Sequence, residues 1–388
     1  MKLRYLAAAL VLAGALHGPA LAQTSVEDRL EAMERRIAEL EKRLSKQDEV
    51  IVEKDREIAR LSEQGAASED AWFDKVEVSG AVEVEAAREK NYEGESSNGL
   101  HAATVDVAVA ARVNAWTAAD VALTMDDVGK IEVDEAILTL APPDRAVALI
   151  AGRQVVPFGV YESNMVSDPL TLGLGETADD AIQLALNADL VSAAAFLFKG
   201  EIKRGAEGGE DGRIENFGVS AGYAMERDGM SLALGLSWIN DLGESGAFDD
   251  VEARGRDEIA GGAASVVANF SGMQVIAEYV TAMDNFAVSE LRFKDESKGA
   301  RPSAWLMEAA YGFELGDKPT TAALGYQGTD EAVGLGLPKT RFLVGLSVEL
   351  AESLSLSFEW ARDNDYGTAD GGTGKTANKA TALLAAEF

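Results

Sequence analysis

From residue 72 to the last residue, apolar side chains alternate with charged or small ones, in one short segment after another. The clearest runs are 76–84, 232–238, 342–348 and 354–360. A period of two is that of a β-strand with one apolar face, so this part of the chain is predicted to be all β. A soluble sandwich shows the same alternation, so the pattern does not by itself indicate a membrane protein.

The connections between the predicted strands separate the two possibilities. About sixteen strands are predicted, near 75–88, 101–113, 116–126, 130–140, 145–153, 181–188, 190–199, 213–224, 230–239, 258–270, 273–282, 303–314, 320–327, 340–349, 354–362 and 377–388. Connections after even-numbered strands are tight, as at Ser271-Gly272, whereas those after odd-numbered strands are mostly long and polar, as at 89–100 and 154–180. Short periplasmic turns and long outer loops are typical of outer-membrane barrels. The predicted fold is an all-β transmembrane antiparallel β-barrel of about 16 strands, over residues 72–388.

The C-terminal segment agrees with a barrel. Its apolar face ends in an aromatic residue, Phe388, as the last strand of an outer-membrane barrel does. Few aromatic anchors are predicted at the membrane interfaces; they are Trp72, Trp116, Trp238, Trp305 and Trp360.

The segment before the barrel has a different pattern. Residues 1–22 form a signal peptide, with a charged start, a short apolar run and Ala20-Leu21-Ala22 before the expected cleavage site. Residues 23–64 carry a heptad repeat with g-to-e charge pairs such as Arg36 and Glu41. This predicts an α-helical periplasmic coiled coil that joins copies of the chain through residues 26–61, with a trimer favoured although the repeat does not decide between two and three chains. Residues 65–71 are interpreted as a linker.

Composition excludes several classes of function. The chain has no cysteine, which excludes disulfides, thiol catalysis and thiolate metal sites, and no metal site or cofactor is expected. The formal charge is −31, with 66 acidic and 35 basic residues, which argues against nucleic-acid binding. The same charge favours a cation-attracting field around a pore.

Two motifs suggest other chemistry but lack the context for it. Residues 369–376 match a permissive phosphate-loop pattern, yet a strand is predicted to follow where a phosphate cradle needs a helix. Asp363-Asn364-Asp365 begins like a calcium loop, but the later glycine and glutamate are misplaced. Both are interpreted as surface loops, with weak cation binding by acidic outer loops left open.

The most informative stretch is 152–177, GRQVVPFGVYESNMVSDPLTLGLGET. It is too long for an ordinary connection and too apolar for a disordered one. We expect it to fold into the barrel after the fifth strand and to narrow the pore, with its constriction residues Arg153, Gln154, Tyr161, Glu162, Asp168, Glu176, Asp179 and Asp180. The lumen is expected to be lined by Glu77, Glu83, Glu85, Asp106, Arg112, Glu349 and Glu359.

With these features together, the chain resembles the LbtU family of siderophore porins. The resemblance rests on the coiled coil, the barrel and four parts of the loop stretch: Gly152-Arg153-Gln154, Pro157-Phe158-Gly159, Tyr161-Glu162 and Asp168-Pro169-Leu170-Thr171. It implies uptake of iron-siderophore complexes or similar small solutes across the bacterial outer membrane, without a plugged, energy-coupled receptor.

Three other interpretations stay open at this point. The first is a general cation-preferring porin. The second is a structural tether, in which the barrel anchors a coiled coil that engages the cell wall. The third, an outer-membrane lipid hydrolase built on His101, is disfavoured because a lone histidine at the edge of a loop is usually only solvated. The chain is not expected to be an enzyme.

Overall fold

The computed structural model describes residues 75–125, 129–200, 214–249, 251, 258–294 and 298–388. The predicted signal peptide, coiled coil and linker lie outside these residues. Within the described ranges, none of the helices has the length and apolar character needed to cross a bilayer.

Sixteen strands lie within the described residues, where the sequence predicts about sixteen. They are β1 Val76–Lys90, β2 Ser96–Asn114, β3 Thr117–Met125, β4 Ile131–Leu140, β5 Val147–Val155, β6 Ala178–Asn187, β7 Val191–Phe198, β8 Asn216–Arg227, β9 Met230–Ile239, β10 Gly261–Phe270, β11 Met273–Ala282, β12 Ser303–Leu315, β13 Lys318–Asp330, β14 Thr340–Ala351, β15 Leu354–Asn364 and β16 Thr376–Glu387.

The strands form one closed antiparallel barrel in which each strand pairs with its neighbours in sequence and β1 pairs with β16. At the seam, the backbones of Gly80 and Phe388 exchange two hydrogen bonds of 3.0 Å. Closure leaves the sheet without an edge, and a closed barrel is one of the two structures that satisfy every backbone group in a bilayer. The all-β barrel expectation is therefore confirmed.

The connections follow the predicted rhythm with one exception. Tight turns such as Ser271-Gly272, where both residues have positive φ as a type I′ turn requires, join strands at one end. The long connections lie at the other end. The first of them was expected at 89–100, and this is wrong: β1 and β2 extend further than their apolar pattern does, and only residues 91–95 connect them.

The two faces of the wall differ as the alternation predicts. Outward-facing side chains are large and apolar and remain well exposed, as at Leu184, Leu324 and Met307, which are 55%, 56% and 63% exposed. A surface of this kind around a closed barrel fits lipid rather than water.

The buried core lies inside one half of the barrel. Side chains from the loop between β5 and β6 pack there against strand ends and outer loops, with Phe158, Leu174, Ile239, Val280 and Phe248 all 2% exposed or less. This core fills the outer half of the lumen on one side, which positions the candidate site.

Candidate constriction site

The loop between β5 and β6 spans residues 156–177 and contains a short helix, α1, at Leu170–Gly175. A hydrogen bond of 2.9 Å from the Val156 N–H to the Thr177 carbonyl closes its base. From there the loop crosses to β9, follows the inner wall as far as β15 and returns. Three buried wall carboxylates hold it, each from a different strand: Glu278, Glu308 and Glu359.

Glu278 on β11 holds both legs of the loop. Its carboxylate accepts hydrogen bonds from the Val160 N–H at 2.7 Å and the Tyr161 N–H at 3.2 Å on the outgoing leg. It also accepts one from the Thr171 hydroxyl at 2.6 Å, in the first turn of α1. Glu278 is 4% exposed, so these donors replace the water that a carboxylate otherwise needs.

Glu308 on β12 binds the middle of the outgoing leg. It accepts hydrogen bonds from the Ser163 hydroxyl at 2.7 Å and from the Asn164 N–H and side-chain amide at 2.7 and 2.8 Å. The Asn164 amide also donates to Gln274 on β11 at 2.6 Å. Every polar contact here joins a loop donor to a wall acceptor, so the loop is fixed by its backbone as well as by its side chains.

Glu359 on β15 binds the far tip of the loop. The N–H groups of Val166 and Ser167 donate to one carboxylate oxygen at 2.7 and 3.0 Å, and the Ser167 hydroxyl donates to the other at 2.5 Å. The sequence prediction placed Glu359 in the lumen lining. This is wrong in one respect: Glu359 faces inward, but it lies beneath the loop and is 4% exposed.

The returning leg is held by β13 and β14. The Leu170 N–H donates to Gln327 Oε1 at 2.8 Å, and Arg341 donates to the Asp168 carbonyl at 3.4 Å. Arg341 is at the same time paired with Asp363, Nε to Oδ1 at 2.8 Å, so its charge is already neutralised.

Apolar packing secures the loop beside α1. Leu174 is fully buried in the core described above, together with Phe158 from the Pro157-Phe158-Gly159 motif. Tyr161 packs against the same core and adopts φ 58°, a strained value for a residue with a side chain. Burial, followed by the charges of Glu278 and Glu176, raises the pKa of its hydroxyl. Tyr161 therefore supports the loop and does not carry charge into the pore.

Glycine in the Gly152-Arg153-Gln154 motif has a clear structural reason. Gly152 has φ 136°, and a Cβ there would lie 2.0 Å from the Ala136 carbonyl oxygen on β4. A residue with a side chain does not fit at this point, where Gly152 pairs with Ile137 of β4.

Four predicted constriction residues are not at the constriction. Arg153 on β5 and Asp180 on β6 lie opposite each other in the sheet. Both occupy outward positions of their strands, so their side chains point away from the lumen. Gln154 and Asp179 face inward but are only 5% and 6% exposed. The Gln154 amide donates to the Ala181 carbonyl on β6 at 3.5 Å, and Asp179 accepts a hydrogen bond from the Gly200 N–H. The first two expectations are wrong because residues 152–155 and 178–180 belong to strands, where successive side chains point to opposite faces, and the other two are wrong because the inward side chains are buried.

Three of the predicted constriction residues on the loop are accessible from the lumen. Glu162 and Asp168 are exposed, and Glu176 is half-buried at the end of α1. Burial, followed by the charges of Asp168 and of Asp134 on β4, raises the pKa of Glu176. The Asp134 charge therefore acts on the returning end of the loop. Asp134 is the extra residue of a β-bulge. A bulge of this kind changes the direction in which the side chains of the strand point.

The wall opposite the loop is also acidic. Inward positions of their strands are occupied by Glu77, Glu83, Glu85, Asp106, Arg112 and Glu349. The structure adds Asp120 and Glu135, which the sequence prediction missed although each occupies an inward position of its strand. Lys379 on β16 faces the same space and is paired with Glu85 at 3.1 Å. The lumen thus has carboxylates on both of its sides.

The alternative interpretations rest on His101, on the calcium-loop-like segment with Asp365 and on residues 369–376, and each of these has a different structural setting in the barrel. His101 lies opposite Glu85 on the inner face, in an outer cavity of about 510 Å³ that Lys379 also lines. Asp365 accepts hydrogen bonds from the Thr373 N–H and hydroxyl at 2.6 and 2.7 Å. Residues 369–376 lead directly into β16, so no helix follows the phosphate-loop pattern.

No family model matches the chain. A UPF0422 protein of Coxiella burnetii is similar, at 27% identity over 307 residues, which cover 75% of this chain and 65% of that protein. The chain therefore spans less than two thirds of the length of this relative.

Solved structures share the fold at low sequence identity. The outer membrane channel DcaP of Acinetobacter baumannii is similar with a TM-score of 0.56, 12% identity, and coverage of 81% of this chain and 97% of that one. An anion-selective porin from Comamonas acidovorans is similar with a TM-score of 0.55, 13% identity, and coverage of 81% and 99%. The described barrel has the fold of bacterial outer-membrane porins.

Proposed function

We propose that the protein is a diffusion channel of the bacterial outer membrane that favours small cationic solutes. The observation that carries this proposal is the charge on the two sides of the constriction. Glu162, Asp168 and Glu176 lie on the loop, and Asp120, Asp134 and Glu135 lie on strands β3 and β4 of the barrel wall.

Basic residues do not balance these carboxylates. Within the described strands, the basic side chains that face inward are Arg112, Arg341 and Lys379. Arg341 is paired with Asp363 and Lys379 with Glu85, which leaves Arg112 near the end with the tight turns. A narrow passage with one sign of charge concentrates solutes of the other sign and excludes co-ions. Because fold does not fix ion preference, the anion-selective porin among the similar structures does not argue against this.

Neutralising the loop tests the proposal. The triple variant Glu162→Gln, Asp168→Asn, Glu176→Gln removes charge from the constriction without touching the three anchoring carboxylates. One unit charge at 4 Å in water is worth about 1 kcal/mol, which is about a fivefold change in permeability. The potassium-to-chloride permeability ratio in planar bilayers should fall severalfold. Glu349→Gln, which removes one carboxylate at an exposed inward position away from the loop, should leave the ratio close to wild type.

The resemblance to siderophore porins suggests a more specific cargo. An acidic constriction would admit ferric complexes that are neutral or positively charged and oppose anionic ones. Uptake of labelled ferric siderophores of different net charge, by cells with and without the protein, tests this cargo. A tether function through residues 23–64 is a separate proposal. Deleting residues 25–64 should impair envelope attachment while conductance persists if tethering is their role.

A further inference from the structure

One transverse row of the inner wall, next to the outgoing leg of the loop, consists mostly of very small residues. The row crosses β7 to β11 through inward residues that pair directly with one another: Ser192, Gly222, Gly235, Ser265 and Glu278. The next inward positions of β8 and β9 toward the tight turns are Ala224 and Ala233, and both are exposed. The wall is therefore recessed here.

The two serines of this row lean over its two glycines from opposite sides. A Cβ on Gly222 would lie 2.4 Å from Ser192 Oγ, and one on Gly235 would lie 2.5 Å from Ser265 Oγ. The hydroxyls thus occupy the space that side chains at 222 and 235 would fill. Glycine inside a strand often marks a point where a ligand or another backbone approaches closely.

The outgoing leg of the loop covers the row and leaves a cavity beside it. The cavity has a volume of about 250 Å³, and Pro157, Val160 and Glu162 line it from the loop side. We name this cavity the recess. Val160 forms its roof over the glycines, since Val160 Cγ2 lies 3.3 Å from the Cβ position of Gly235. Sites for drug-sized ligands measure about 300–1,000 Å³, so the recess suits a solute of only a few heavy atoms.

Ser265 is the observation that points to a ligand in the recess. It lines the recess and is 8% exposed, yet its hydroxyl has no hydrogen-bond partner among the described residues. Most buried hydroxyls in proteins are hydrogen-bonded, and an exception calls for an explanation. A row of small residues would by itself only widen the lumen, whereas an unpartnered hydroxyl that faces a cavity can bind a solute that enters it.

The charge around the recess decides the class of solute. The charged side chains among the described residues that line it are Glu162 and Glu278, and both are acidic. Glu278 already accepts hydrogen bonds from both legs of the loop, so the exposed Glu162 is the carboxylate that can receive a solute. An ammonium group has three donors and no acceptor, so it can bind a carboxylate and hydroxyl oxygens together.

We propose that the recess is a binding subsite for small organic ammonium ions that pass through the channel. The ammonium group binds Glu162, and the short organic body lies over Gly222 and Gly235, beside the serine hydroxyls. This proposal names a solute class for the diffusion channel proposed above and rests on that function.

Ethanolamine hydrochloride and ethylene glycol are matched probes, because they differ by an ammonium group in place of a hydroxyl. Each is added to the full chain in a planar bilayer in KCl at neutral pH, and the current is measured against probe concentration. We expect ethanolammonium to lower the current saturably, with a half-saturating concentration severalfold below that of ethylene glycol. A decrease without saturation would overturn the subsite, and so would an equal or stronger effect of ethylene glycol.

A filled recess should lose this effect. Ala233→Leu adds a larger side chain inside the recess, and Ala108→Leu makes the same change at an inward position of β2, away from it. The half-saturating concentration of ethanolammonium should rise severalfold in the first variant and stay near wild type in the second. Ser265→Ala, which keeps the space but removes the hydroxyl, should also raise it and serves if Ala233→Leu does not assemble. Wild-type values in the recess variants would overturn the proposal.

Two loop carboxylates separate this proposal from the function on which it rests. Glu162 lines the recess and Asp168 does not. Glu162→Gln and Asp168→Asn should both lower the potassium-to-chloride permeability ratio, but only Glu162→Gln should raise the half-saturating concentration of ethanolammonium severalfold. Equal shifts in that concentration would overturn the subsite alone. A wild-type reversal potential of the sign set by chloride would overturn the proposed function instead.

Discussion

Glu359 and Ser167, 192 residues apart in sequence, are joined by two hydrogen bonds of 3.0 and 2.5 Å inside the barrel. With Glu278 and Glu308, this contact holds the loop 156–177 against the wall from β9 to β15. The carboxylates that anchor the loop are therefore distinct from those that face the lumen.

Glu359→Gln tests the anchor at the tip. An amide keeps the size of the side chain but has one acceptor oxygen, so the three donors from Val166 and Ser167 can no longer all be satisfied. We expect the barrel to assemble and the single-channel current to become noisier, because the tip of the loop moves. Glu349→Gln, on the exposed inner wall, is the control. Quiet, wild-type currents in the Glu359 variant would contradict the anchoring role.

Glu278→Gln should have the larger effect. Its carboxylate joins both legs of the loop, and an amide with one acceptor oxygen cannot bind the donors of Val160, Tyr161 and Thr171 together. Removing one partner from a buried, charge-assisted network typically costs about 3 kcal/mol or more. Protease digestion of the reconstituted protein should then cut within 156–177, where the wild-type loop resists. A loop as resistant as wild type would refute this assignment.

Leu174→Ala tests the apolar contribution. Leu174 is fully buried in the core behind the loop, and a buried leucine-to-alanine change costs about 2–5 kcal/mol. The matched change Leu172→Ala removes a half-buried side chain from the same helix and should cost much less. Hydrogen exchange of the loop amides should accelerate strongly in the first variant, while exchange of the strand amides stays slow in both. Equal exchange rates of the loop amides in the two variants would show that the packing of Leu174 does not hold the loop in place.

Acid should weaken the cation preference. Burial and the charges of Asp168 and Asp134 raise the pKa of Glu176, so on acidification it becomes neutral before an ordinary glutamate does. The preference is present above this raised pKa and should begin to fall at a higher pH than the ordinary carboxylate range. Glu176→Gln should remove this early step and leave the steps due to other carboxylates. Permeability ratios measured across a pH series check this, and identical pH profiles for the wild type and the Glu176→Gln variant would contradict it.

Much of the fold follows from the sequence because strand alternation is a local property. The period of two and the contrast between tight turns and long loops predict sixteen strands, and the inward positions of Glu83 and Glu85 follow from the same parity. The strand ends are less predictable. Once apolar alternation stops, the pairing of β1 with β2 continues through polar residues such as Ser96, where no hydrophobic signal marks it.

The constriction is predictable only in part. The composition of 152–177 predicts a folded loop, but which wall it packs against depends on side chains far away in sequence. Glu278 and Glu308 do carry a signal, since Glu278 is the only acidic residue of β11 and Glu308 lies between the apolar inward residues Leu306 and Ala310 of β12. Asp180 is misplaced because β6 begins three residues before its predicted start at 181. Arg153 is misplaced because it lies on the predicted fifth strand itself, where its position in the alternation is outward.

The sign of the reversal potential tests the central claim most directly. The full chain is reconstituted into a planar bilayer, and the zero-current potential is measured across a KCl gradient at neutral pH. The acidic constriction predicts a potential of the sign set by potassium, and the triple variant of Glu162, Asp168 and Glu176 should bring it closer to zero. A wild-type potential of the sign set by chloride would contradict the account.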